Sequence, residues 1–446
     1  MDVLKGSITK NYLHFLLPTL LASISSSLYC LADVFFIAQG SGAMGLAAVN
    51  ICMPIFTIYS AIGLWIGVGC ASLLSIAYGQ RNDKMRNQAF TLGIYTLSII
   101  SILVCILGLI FRKPLLFLFG SDASLYALAE SYFIPIHMGA CAFIMGYAMP
   151  IFLRNDFVPK KAMIFTLAGN ILNIFLDYVF VMVFHLGLQG AAIATSISSL
   201  CGLCMMASHF FSKDCTLKLV KHPWDITLMK RMLSAGSGAS VLELSVSIAN
   251  LVFNHFILAC GGALDLAAYS IITNIAFVTK GLFNGFAQAS QPLISSNYGA
   301  NLMQRVKQSL SLAITVAMSF ALILYLSFLW KAELWASIFA SNDGLLIEKA
   351  ALGIRIYFIS ILPNALMCIL LSYLQACEHG KLSAILAGVK GCVIVVVLIQ
   401  PFVTWWGMNG IYALIPCSEF LGVILAIYGI WRSKDEFSQR TLRTLH

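Results

Sequence analysis

The chain has 446 residues, of which 27 are Lys or Arg and 18 are Asp or Glu, for a formal net charge of +9. Only 10% are charged and 60% apolar, against roughly a quarter charged in soluble domains, and mean hydropathy is +0.90. No soluble fold of this length has an interior large enough for that apolar surface, and disorder, coiled coil and a secreted disulfide scaffold are excluded with it.

What remains is an all-α polytopic membrane protein. A membrane helix needs ~20 mostly apolar residues. Twelve such runs follow one another, near 12–38, 47–78, 88–111, 122–153, 161–184, 188–211, 232–259, 266–297, 308–330, 350–376, 382–403 and 408–431. A β-barrel would show alternating segments of ~10 residues instead. Pro18 interrupts the first span and removes a backbone donor, so the helix is expected to bend there. With both termini on one side, twenty of the 27 Lys and Arg fall on that side and five on the other, while Lys280 and Lys390 lie within spans. The positive-inside rule then places both termini and the central linker in the cytoplasm. Basic loops beside membrane helices also account for the net charge, so no nucleic-acid partner is implied. The first run is too long for a signal-peptide core and contains Asp33, so no cleaved leader is expected. Most of the 13 cysteines lie within spans. Cys201 and Cys204 read as packing rather than metal or redox chemistry, and so do His137 and His255.

The chain repeats at an offset of 220 residues. Leu46-Ala47-Ala48 matches Leu266-Ala267-Ala268, and the alignment runs without a gap to Tyr78-Gly79 and Tyr298-Gly299. The same offset pairs Gly187 and Gly190 with Gly407 and Gly410. Six spans per half put the pseudo-two-fold axis along the membrane normal. The expected organisation is a six-helix bundle over 1–211, a polar cytoplasmic linker over 212–231, a second six-helix bundle over 232–432 and a cytoplasmic tail over 433–446.

Ionisable groups at membrane depth cost at least ~2.5 kcal/mol each, so each needs a reason. Asp33, Asp177, Glu243 and Glu419 qualify; Glu130 can reach the interface. In span 5, Asn170, Asn173 and Asp177 share one helical face. In span 1, Tyr29 and Asp33 stand one turn apart, and Thr195 in span 6 can add a hydroxyl. Such oxygens suit Na⁺ at Asp33 and Asp177, or a held proton. A hydrogen-bonded cluster locking three helices is the structural alternative. Span 7 carries Glu243, Ser247, Asn250 and Asn254 on one face; span 8 carries Thr273, Lys280, Asn284, Gln288 and Gln291. Facing stripes would make a wet surface in which Glu243 and Lys280 can pair, either as a cavity feature or as a structural salt bridge. At the repeat offset Asp33, Asn173 and Asp177 become Phe253, Val393 and Val397, so the halves share a frame but divide the chemistry. Glu419 either faces the cavity or satisfies the turn broken by Pro416.

In these residues the chain resembles the multidrug and toxic compound extrusion (MATE) transporters, especially the DinF-like bacterial branch. The carriers are Leu28 to Asp33 with Gly40, Leu46 to Val49, and Leu153 to Asp156 with Pro159-Lys160. Asn170 to Asp177, Gly187 to Ala192, Gln291 to Ile294 and Asn297 to Ala300 complete the set. The resemblance implies two six-helix bundles around a V-shaped cavity, and export of drugs and organic cations in exchange for Na⁺ or H⁺. It implies that Asp33, Tyr29, Asn173, Asp177 and Thr195 form the ion site, that the first helix bends at Pro18, and that Glu243 is a seventh-helix acid found in some members. Phe157 and Val158 depart from the usual Gly and Asn, Pro150 stands where an Asn is frequent, and the resemblance assigns Lys280 no role.

The expected function is a secondary active antiporter exporting amphipathic, cationic compounds by alternating access, with Na⁺ and H⁺ both open as coupling ion. Glu243, Lys280, Asn250, Asn284 and Gln288 are its second-half cavity candidates. The expected protein is a monomer of the bacterial inner membrane, not an enzyme, without a cofactor, meeting small amphipathic substrates and the lipid bilayer. The alternative is a flippase for lipid-linked oligosaccharides on a related fold, which normally needs several cavity Arg or Lys. A polytopic membrane enzyme would need paired acidic motifs at a membrane face.

Overall fold

The computed structural model describes residues 2–340 and 343–432, apart from the side chain of Ala263. The proposed tail over 433–446 lies outside the described residues. Among the described residues the chain is helical with no strand. Twelve membrane-crossing helices emerge once three long helices are divided at internal glycines. Ile8–Gly79 breaks at Gly42 into α1 (8–41) and α2 (43–79). Next come α3 (Asp83–Ile110), α4 (Tyr126–Met138 with Ala140–Asn155, bent by 53°), α5 (Pro159–Val183) and α6 (Gly187–Phe211). The second half comprises α7 (Ile226–Gly262), α8 (Leu264–Gly299), α9 (Met303–Trp330) and α10 (Gly344–Ala376). It ends with α11 (380–406) and α12 (408–432), the arms of a helix broken at Gly407. Helices are required here because lipid offers backbone N–H and C=O groups no partner.

The halves repeat in backbone conformation as well as sequence. Gly42 and Gly262 both take positive φ, at 60° and 72°, and turn α1 into α2 and α7 into α8. Gly187 and Gly407 do the same at 54° and 56°. Arg81 and Asn301, again 220 residues apart, end α2 and α8 with φ of 54° and 57°. Their following amides close the same C-terminal loop, Asn82 to Ala77 at 2.9 Å and Leu302 to Asn297 at 2.9 Å. Asn82 and Asp225 cap the helices that follow them by accepting backbone amides.

Among the described residues each half has one large apolar core, and the second half has two smaller clusters besides, around Met367 and around Ile294. Each large core takes in the first turns of the other half's opening helix. Val3, Tyr12, Phe15 and Leu16 are buried in the second core, while Leu228 and Met232 are buried in the first. The opening residues of the first bundle therefore pack with the second. In lipid this is held by close packing and hydrogen bonds rather than by escape from water. Tyr12 donates to Phe286 O at 3.4 Å, and Arg305 donates to Gly6 O at 2.7 Å. At Pro18 the backbone stays helical; Gly42 is the departure within Ile8–Gly79.

Candidate functional site

In the first half, α1, α5 and α6 bring their polar residues to one place. Asp177 is wholly buried, and Asn173 and Thr195 are nearly so. Asp33 faces Asp177 and Thr195, and Tyr29 lies beside both acids. Asn173 Nδ2 donates to Thr195 Oγ1 at 3.4 Å, and Thr195 donates to Ala191 O at 2.9 Å. That leaves Asp33 Oδ1, Asn173 Oδ1 and both carboxylate oxygens of Asp177 buried without a donor. Four acceptors in a low-dielectric setting favour a hard cation or a proton among them. Neither acid has an ion-pair partner among the described residues. A π turn, Tyr178–Val183, follows Asp177 directly; such turns recur at functional positions. Asn170, one turn before Asn173, instead donates to Ser25 and Ser26 and ties α5 to α1. The sequence reading missed Tyr132 of α4, which is buried against Asp33, Tyr29 and Asp177. It follows Glu130 and Ser131 at the interfacial end of that segment, so nothing in its spacing relates it to α1 or α5.

The second half is built differently. Lys280 Nζ reaches Glu243 Oε1 at 3.4 Å, with both side chains partly exposed. Glu243, Asn284, Gln288, Arg154, Cys368 and Gln375 line a cavity between the halves. Asn250 lies two turns along α7 from Glu243 and is exposed, as are Asn254 and His255; His255 is thus not packed as its sequence position suggested. His137 is, between Tyr59 Oη at 2.6 Å and Val104 O at 3.0 Å. Glu419 does more than satisfy the turn at Pro416. It accepts from Lys390 Nζ at 2.7 Å and Asn364 Nδ2 at 2.9 Å, in a nearly dry setting. Neither partner was legible, because α10, α11 and α12 meet only in the fold.

The halves join on the face that carries the N-terminus. Arg154 donates to Gln288 at 2.6 Å, and Asn155 to Gln291 at 3.1 Å. Trp65 donates to Leu233 O at 2.7 Å, and far deeper in the membrane, about twenty residues along α2 and α7 from that face, Thr57 meets Ser247 at 3.0 Å. A Cβ on Gly79 would strike Ser296 O, and one on Gly299 would strike Ile76 O, so α2 and α8 touch backbone to backbone. On the same face, Asp156, His209 and Cys215 gather within 4.8 Å, a group of metal-ligand types that sequence spacing did not reveal. Its carboxylate is already engaged. Arg86 at 3.3 Å, His209 at 2.8 Å and the Thr216 amide and hydroxyl all bind Asp156, which makes the group a latch for the linker. Lys161 bridges Asp214 at 2.7 Å further along the linker and holds that exposed carboxyl below its ordinary range. Cys201 is half-buried and Cys204 exposed, outside any such group.

The MatE family model matches residues 18–179 and again 239–399, in step with the internal repeat. The chain belongs to the MatE family. Among curated proteins, this MatE chain is 25% identical over 415 residues to the multidrug export protein MepA of Staphylococcus saprophyticus, covering 92% of this chain and 89% of that one. It is 23% identical over 443 residues to MepA of Staphylococcus aureus, covering 98% and 96%. Its fold matches a MATE solved in complex with MaL6, at TM-score 0.90 and 22% identity over 98% of both chains. It matches equally well an outward-facing multidrug resistance MATE family transporter of the MOP superfamily, at TM-score 0.90 and 22% identity over 98% and 97%. The twelve-helix, two-bundle membrane fold read from the sequence is the fold of this MatE protein.

Proposed function

We propose that this protein is a secondary active antiporter that exports amphipathic, cationic small molecules in exchange for Na⁺ or H⁺. The observation that carries this reading is the donor-free set of buried oxygens on Asp33, Asn173 and Asp177. Two acids at membrane depth without a basic partner are costly unless a diffusible cation neutralises them. The cation must bind the inward- and outward-facing states unequally for its gradient to drive export. Tyr29, Thr195 and Tyr132 complete the lining of that site. Glu243, Asn284 and Gln288 line the substrate cavity, with Lys280 behind Glu243. In this reading the protein sits in the bacterial plasma membrane as a monomer with both termini cytoplasmic. Pro18 is where α1 bends during the cycle. Neither a cofactor nor an enzymatic step is part of this reading. It agrees with the export role named for the MepA relatives.

The lipid-linked oligosaccharide alternative needs free cavity cations for a diphosphate. Lys280 and Lys390 are each neutralised by a glutamate, which leaves Arg154, bonded to the neutral Gln288, as one cavity cation where a diphosphate would need several. The test is dye efflux from cells expressing Asp33→Asn and Asp177→Asn, with proteoliposomes under imposed Na⁺ or pH gradients to identify the ion. Both variants are expected to lose gradient-driven efflux. Wild-type efflux in both would overturn the ion site.

A further inference from the structure

We propose that Lys390 is a resident cation, standing where the second half would otherwise bind a diffusible one, so that only the first half contributes ions to the exchange. The inference rests on the ion-coupled reading of Asp33 and Asp177 and extends it to the other half. It begins with a contrast. The two membrane-depth acids of the first half have no basic partner among the described residues. Both membrane-depth acids of the second half have a lysine, Lys280 on Glu243 at 3.4 Å and Lys390 on Glu419 at 2.7 Å.

The deeper pair is built as a site. Lys390 is 6% exposed and Glu419 6%. Glu419 Oε1 accepts from both Lys390 and Asn364, while its Oε2 is buried without a donor. Lys390 lies in a π turn, Val389–Val393, and Ser418 donates to its carbonyl. Gly422 faces the lysine stem, where a Cβ would meet Lys390 Cγ at 3.0 Å. Tyr357 and Cys368 are the further titratable groups beside the pair. Cys368 lies 3.8 Å from Asn364 Oδ1 and 3.9 Å from Asn284 Oδ1, which links Glu419 to the cavity wall.

Position matters as much as chemistry. At the repeat offset of 220, Lys390 corresponds to Asn170 and Glu419 to Ser199. The pair therefore occupies α11 and α12, the counterparts of α5 and α6, about one helical turn from Val393 and Ile415, which match Asn173 and Thr195. There the ammonium pairs with a carboxylate that an amide also binds, and a cysteine thiol lies against that amide. In the first half carboxylates, an amide and a hydroxyl surround a place for a free ion. Because its ion is covalently attached, the second half stays neutral in every state and takes nothing from the gradient.

The experiment counts ions on the purified full-length protein in the Asp33→Asn/Asp177→Asn background, where the first-half site is silenced. The probes are ²²Na⁺ binding and difference proton titration. Adding Lys390→Met is expected to create a site for one extra Na⁺ or proton per molecule, and adding Glu419→Gln to that variant is expected to abolish it. No extra ion in a monodisperse Lys390→Met protein would overturn the proposal. Should Lys390→Met not fold, the neutral pair Lys390→Met/Glu419→Gln is measured in otherwise wild-type protein in proteoliposomes. Its ion-to-dye stoichiometry is expected to equal the wild-type value, and a drop of one ion per cycle would overturn the proposal. Failure of the first-half ion site itself shows separately, as gradient-driven efflux that survives Asp33→Asn and Asp177→Asn.

Discussion

Gly79 and Gly299 offer a way to move the conformational equilibrium without touching the proposed ion site or the cavity. They are related by the repeat and meet across the pseudo-two-fold, each against the other half's backbone. A Cβ at Gly79 would meet Ser296 O, then Ala300 N at 2.7 Å and Gly299 C at 3.0 Å. None of these is the end of a flexible side chain, so the clash is relieved only by separating α2 from α8. Overpacking of this kind costs ~1–3 kcal/mol. The contact lies between the halves, so the cost falls on the state closed at the terminal face and not on either bundle. Gly79→Ala should therefore raise the population open at that face by roughly 5- to 150-fold relative to the closed one. Gly299→Ala should act in the same direction, and the double variant by less than the sum, because one separation relieves both clashes. Gly146→Ala is the control, since nothing lies within 4 Å of its Cβ position. The assay is the spin-label distance between exposed Lys84 and Gln304, which sit on opposite halves at the terminal face. Labels must enter as non-natural residues, because 13 native cysteines compete for thiol reagents. A distance distribution unchanged in both glycine variants would refute the reasoning.

Two further outcomes follow from the charged groups. Lys280→Met leaves Glu243 unpaired on the cavity wall, and dye titration should show a cationic dye binding up to about tenfold more tightly; Glu243→Gln should weaken it by a similar factor. The limit is set by the partial exposure of the pair, which screens it. Asp156→Asn strands the buried Arg86 beside His209 and Thr216, and removing one partner of such a pair costs ~3–5 kcal/mol. Limited proteolysis should cut the 212–225 linker much faster in this variant, at unchanged fold by circular dichroism; equal cutting rates would show that the latch does not hold the linker.

That Asp33 and Asp177 cluster was largely legible beforehand, and the Lys390–Glu419 pair was not, for one reason. Asn173 and Asp177 share a helix, so a period of 3.6 residues puts them on one face and the exceptional acid draws attention to it. Asp33 joined them because it is the other membrane-depth acid in that half. Glu419, Lys390 and Asn364 lie on three different helices, and no periodicity relates residues across helices. Tyr132, the Asp156–His209 latch and the Arg154–Gln288 contact were out of reach for the same reason.

The sequence by itself determined the solvent, the number of crossings and the two-fold repeat. These depend on composition summed over ~20 residues, which the ~30 Å hydrocarbon thickness converts directly into helices. It also paired Gly187 with Gly407 through the repeat, and the structure shows that both take the positive φ that glycine adopts without steric cost. Only the tertiary structure decided which charges meet. It left Asp33 and Asp177 without a cation and gave Glu243 and Glu419 a lysine each. Pairing depends on a few ångströms between helices whose order along the chain says nothing about their distance.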